Sequence, residues 1–135
     1  MIDSLEEAGN LFKSILKSND FHIVSERMGI GEFIKAEKNG VIFNYCVCFK
    51  REYYKNFQYH FPALGKVGWG QIANKDLLKE CEESDYAYVI VMPDEKIYVI
   101  KAGFWLDYYD KFKTDVPHLK GEIAIPMKFL KKFES

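Results

Sequence analysis

The chain has 135 residues, 48% hydrophobic and 29% charged, with a net charge of −1 and a pI near 6.3. That composition excludes a disordered chain and wholesale attraction to polyanions, so any nucleic-acid contact must come from a local patch. No apolar run nears the ~20 residues of a membrane span, and the length predicts a single domain over residues 1–135 that buries roughly 65–70% of its unfolded surface.

The amino terminus, Met-Ile-Asp-Ser-Leu-Glu-Glu, is acidic where a secretory leader would be basic and then apolar. The three cysteines are an odd number and suit a reducing compartment. Both observations predict a cytoplasmic protein.

Asp3 or Ser4 can cap a first helix, whose apolar stripe is Leu5, Ala8, Phe12, Ile15 and Leu16. Glu6 and Glu7 fall in its first turn, where the helix dipole favours acids. Phe21 to Glu26 is rich in β-formers, and a second strand is predicted near Glu32 to Glu37. There Glu32, Ile34 and Ala36 share one face, and Phe33, Lys35 and Glu37 the other. Asn39-Gly40 is a strong hairpin signal, since a type I′ turn needs positive φ at both central residues. Val41 to Phe49 follows as a near-continuous apolar strand, expected to be covered on both faces.

Residues 50–70 have no clean period. Lys50, Arg51, Lys55 and Lys66 stand against one acid, Glu52, and are interleaved with Tyr53, Tyr54, Phe57, Tyr59, His60, Phe61 and Trp69. Some twenty residues without clear structure inside a domain point to function or to hidden elements. A second helix is predicted over Gln71 to Glu83, with Ile72, Ala73, Leu77, Leu78 and Cys81 as its buried stripe. Tyr86–Met92 is a buried strand, Pro93-Asp94 a turn, and Lys96–Lys101 a strand closer to an edge. Gly103 to Phe112 fits a short aromatic helix or lid. Pro117 interrupts the chain, Glu122–Ile125 is a last short strand, and Pro126 opens a helical turn. The predicted fold is α/β: a mixed central sheet flanked by helices, in the order αβββαβ with a small C-terminal β/α extension.

Over roughly Ser4 to Ile100, that order together with short motifs resembles the PD-(D/E)XK nuclease superfamily, and in particular its archaeal Holliday-junction-resolvase type. The resemblance implies a helix acid at Glu7, a second-strand acid at Glu32, a lysine at Lys50 and an auxiliary glutamine at Gln71. In that family the carboxylates hold Mg²⁺, and metal and lysine together stabilise charge on the scissile phosphate of a DNA substrate. Here the residue two before Lys50 is Cys48 instead of an acid, and a neutral thiol is a poor ligand for a hard cation. Glu52 or Glu37 would have to supply the missing oxygen.

Two outcomes stay open. The chain is a Mg²⁺-dependent phosphodiesterase, or a related domain that lost catalysis and binds nucleic acid in the same groove. Lys50, Arg51, Tyr53, Tyr54, Lys55, Lys66 and Trp69 suit the binding role, because cations neutralise phosphates while aromatic faces stack on unpaired bases. A reading from another class makes segment 50–69 a protein-interaction arm that builds a homodimer, since interfaces favour Tyr, Phe, Trp and Arg. Cys46, Cys48 and Cys81 or a histidine could hold zinc, and Cys48 with His60 or His22 could form a nucleophile–base pair. Buried strand cysteines acting as small hydrophobes are commoner than either.

Overall fold

A computed structural model of the chain describes residues 1–54, 69–112 and 120–133. Helix α1 (Leu5–Ser18) opens on Ser4, whose hydroxyl accepts from the Glu7 N–H, with Glu6 and Glu7 in the first turn. Strands β1 (His22–Met28), β2 (Glu32–Lys38) and β3 (Val41–Phe49) form the antiparallel meander that the turn residues predict. Asn39 and Gly40 both take positive φ, 54° and 77°, as a type I′ turn requires. Only glycine meets the second value without a steric cost.

The chain then forms β4 (Gly70–Asn74), α2 (Lys75–Glu83), β5 (Ala87–Val91), β6 (Ile97–Lys101), α3 (Ala102–Phe112), β7 (Glu122–Pro126) and a two-residue strand β8 (Lys131–Lys132). Six strands make one mixed sheet in the order β1-β2-β3-β5-β6-β8, with β3 and β5 parallel. β4 and β7 pair separately as an antiparallel ribbon. The expected α/β class, a mixed sheet with helices on its faces, is therefore what the chain forms.

Strand alternation sorts the core into two layers. On one face, Ile34, Ala36, Tyr45, Val47, Val89 and Val91 pack under Ala8, Phe12 and Leu16 of α1. On the other, Phe33, Cys46, Cys48, Tyr88, Ile90 and Met92 pack under α2, α3 and the β4–β7 ribbon. Two large side chains anchor these layers with no solvent exposure, Phe12 in the first and Trp105 in the second.

The structure corrects two expectations. The run predicted as one helix from Gln71 begins as strand β4, and the helix starts only at Lys75, where the Asn74 side chain caps it by accepting from the Leu77 N–H. Its partner β7 lies some fifty residues further on, a pairing that local periodicity cannot reveal. β3 is not covered along its whole length: Val41, Ile42 and Phe43 are exposed, because β5 joins β3 only from Tyr45 onward. As expected, Lys96–Lys101 lies toward an edge: β6 is next to last in the sheet order, followed by the two-residue β8. Among the described residues no helix is long and apolar enough to cross a membrane.

Candidate functional site

Glu32 opens β2 on the face that α1 covers. It is buried to 6% exposure, and its carboxylate lies against Gly9 in the middle of the helix. A Cβ on residue 9 would collide with that carboxylate, so the missing side chain is what lets a charged group lie beneath the helix. Lys13, one turn further along α1, reaches Glu32 Oε1 at 3.1 Å and Glu26 Oε2 at 3.3 Å. Burial works against the Lys13 charge, but its ion pair with Glu32 and its hydrogen bond to Glu26 outweigh this and hold its pKa above the usual lysine value.

This arrangement does not bring the four expected site residues together. At about 100° per residue, Glu7 points roughly 200° around α1 from Gly9, away from Glu32, and it is exposed. The β3 residues that share the Glu32 face are Tyr45, Val47 and Phe49, none of which offers a carboxylate, and Val47 pairs directly with Glu32. Cys48 lies on the opposite face, so the thiol in the expected acid position is separated from Glu32 by the thickness of the sheet. Glu37, which alternates away from Glu32, is exposed as well. The donors therefore do not fit Mg²⁺, because the one buried carboxylate among the described residues is already paired with a lysine ammonium.

Lys50 and Gln71 do come together, on the ribbon side of the sheet. Lys50 follows the end of β3, tied by its N–H to the Val91 carbonyl at 3.1 Å. Tyr54 and Gly70 exchange both backbone hydrogen bonds at 2.8 Å, which joins the segment after β3 to the start of β4. Lys50, Arg51, Glu52, Tyr53, Tyr54, Gln71 and Ile72 line the resulting cleft, of about 380 Å³. At its edge the half-exposed Trp69 packs edge-on against Tyr53, with ring centroids 4.9 Å apart. Burial, together with Tyr98 and Asp94, pushes the Tyr53 phenol up to about 12, so it is neutral and able to donate. Arg51 lies across the Phe49 ring and is held by the side chain and carbonyl of Asp3; that hydrogen bond keeps Asp3 below its usual carboxyl value. The Lys50 ammonium has no ion-pair partner among the described residues.

Gln71 is 1% exposed and poorly satisfied. Its Nε2 donates to the Met92 sulfur at 3.1 Å, a weak acceptor, and its Oε1 has no partner among the described residues. The expected site residues Lys55 and Lys66, and also Phe57, Tyr59, His60 and Phe61, lie outside the described residues.

The three thiols form a buried group on the face of the sheet opposite α1, Cys46 and Cys48 from β3 and Cys81 from α2. Cys46 and Cys48 Sγ would lie 2.8 and 3.2 Å from a Cβ on Gly31, and hydrogen bonds to Cys48 and Cys81 together with burial push the Cys46 thiol up. Hydrogen bonds from Cys46 and Tyr88 and the Lys50 charge hold the Cys48 thiol below its ordinary value against burial, and no three His, Cys, Asp or Glu among the described residues are placed to hold a metal. His22 is exposed on β1, the outer strand of the meander, and Cys48 is buried within it. Two important residues, Lys13 and Gly9, carry no sequence signal as a pair until the register of α1 over β2 is known. No family model, curated protein or solved structure matches the chain, so this geometry carries the functional argument.

Proposed function

We propose that this chain is a nucleic-acid-binding domain on a nuclease-like α/β scaffold that does not hydrolyse phosphodiesters. Support for the scaffold is the succession α1, β1, β2, β3, then α2 crossing to β5 parallel to β3. Support for the lack of hydrolysis is the Lys13 ammonium on Glu32, where a catalytic cation would need oxygen donors. The observation that carries the binding role is the assembly of Lys50, Arg51, Tyr53, Tyr54 and Gln71 around one cleft, with Trp69 at its edge. Lys50 and Arg51 meet phosphate, and the aromatic rings meet bases that are not paired in a duplex.

Asp3 and Glu52 offset part of the positive charge, so few phosphates are neutralised and affinity is modest. Fluorescence anisotropy of a labelled single-stranded 12-mer tests this. Each neutralised phosphate contributes about −0.7 to the slope of log K against log salt, so one or two phosphates give a slope near −1. Absence of binding at low salt, or binding indifferent to salt, overturns the reading. Nicking of DNA with Mg²⁺ or Mn²⁺ that disappears on Lys50→Ala overturns the non-hydrolytic part.

A second reading, a homodimerising interaction module, has an observation of its own. Val41, Ile42 and Phe43 are exposed on the part of β3 that β5 leaves uncovered. Light scattering that finds a dimer, reduced to a monomer by Ile42→Ser, supports this reading; a monomer at every concentration removes it.

A further inference from the structure

A buried side-chain amide whose oxygen has no partner and whose nitrogen donates only to a thioether is rare in a native core, and each such group calls for an explanation. Gln71 does not face packed hydrocarbon on every side, because it lines the cleft with Lys50 and two tyrosines. The ribbon fixes it there: Gln71 pairs with Ile125 in register, and the Tyr54–Gly70 pair locks the neighbouring position. The amide is therefore fixed beside the cleft, its oxygen enclosed and without a partner among the described residues.

On this basis, and resting on the binding role proposed above, we infer that the cleft takes a single unpaired nucleotide whose base edge is read by the Gln71 amide. The base stacks against the Tyr53–Trp69 pair, its phosphate meets the Lys50 ammonium, and the Gln71 Oε1 accepts from an exocyclic amino group of the base. An amide presents an acceptor and a donor side by side, a pattern that matches adenine and cytosine edges and distinguishes them from a bare sugar-phosphate. Gln71 is thus the specificity residue of the cleft, and Lys50 supplies affinity without preference.

The test uses the full chain and single-stranded octamers of one base each, in deoxy and ribo forms, beside an octamer with abasic sites. The intact octamers are expected to bind about tenfold tighter than the abasic one, as stacking of one base provides. At least one base is expected to exceed the others severalfold. Gln71→Met is expected to erase the difference among bases while keeping the salt-dependent binding of the abasic strand. Gln71→Glu, which keeps the shape but removes the donor, is expected to change which base is preferred. The wild-type comparison of abasic with intact strands needs no variant to fold. If the abasic octamer binds as tightly as the others, or base preference survives both substitutions, this inference fails while the binding role stands. If no octamer binds in a salt-dependent way, the binding role fails and this inference with it. Equal affinity for deoxy and ribo forms assigns the recognition to base and phosphate; a preference for ribo strands adds the 2′-hydroxyl to the contacts.

Discussion

Two buried polar groups lie on opposite faces of the same sheet and differ in how they are satisfied. Glu32, under α1, has the Lys13 ammonium 3.1 Å from its Oε1 as an ion pair, although that oxygen makes no well-aligned hydrogen bond among the described residues, and Gly9 leaves the gap that receives it. Gln71, in the ribbon, has a sulfur for its donor and no partner for its acceptor among the described residues. A buried charge that the fold has already paired holds the fold together; a buried amide oxygen left with neither an ion pair nor a hydrogen bond is available to a ligand. The contrast separates architecture from function more sharply than residue type does, since carboxylate and lysine, the usual signs of catalysis, here serve the architecture.

The largest expected effect breaks the closed side of this comparison. Lys13→Met leaves Glu32 buried without its cation and should cost about 3 kcal/mol of stability, read as a shift in the urea midpoint. Adding Glu32→Leu should recover most of that loss, because replacing both partners with apolar groups is close to neutral. A loss well under 1 kcal/mol for the single change would mean that Glu32 is not held as described.

On the open side, Lys50→Ala should weaken single-strand binding about tenfold, or ~1.4 kcal/mol, and reduce the salt slope by about 0.7. Stability should scarcely change, because Lys50 supports no ion pair among the described residues. Gln71→Met should act with the opposite sign to Lys13→Met, stabilising the fold by about 1 kcal/mol by removing a buried amide that is poorly bonded. Thermal melting beside the binding assay checks whether stability rises as base discrimination falls.

The smallest effect is a pH signature. Burial, the largest influence, lowers the Lys13 pKa, but the ion pair with Glu32 and the hydrogen bond to Glu26 together raise it above its ordinary 10.5. Its stabilising contribution is therefore complete below about pH 10.5 and is lost as pH climbs through the folded value. The stability gap between wild type and Lys13→Met should hold constant through neutral pH and narrow only in the alkaline range. A gap that already narrows near pH 8 would place the lysine in a different environment.

The meander was legible because its determinants are local. Asn39-Gly40 fixes the turn, and the alternation Glu32, Ile34, Ala36 against Phe33 fixes which face meets α1. The strand β4 was not legible, because Ile72, Ala73, Leu77 and Leu78 are spaced as a helix stripe would be. Asn74, a preferred N-cap residue three positions before Leu77, was the one local sign that the helix begins later. The site was half legible. Lys50 and Gln71 meet through an element that was assigned the wrong type, whereas Glu7 and Glu32 fail to meet because helical angle and strand parity place them apart.

Gly9 also sets how α1 can evolve. The helix sits over β2 in a single axial position, because sliding by one residue would bring the side chain of Ala8 or Asn10 onto the Glu32 carboxylate and rotate Lys13 by about 100°. Positions 9 and 32 are thus a coupled pair: a descendant that gains a β-carbon at the first must shorten the second, and Lys13 then loses its reason to be basic.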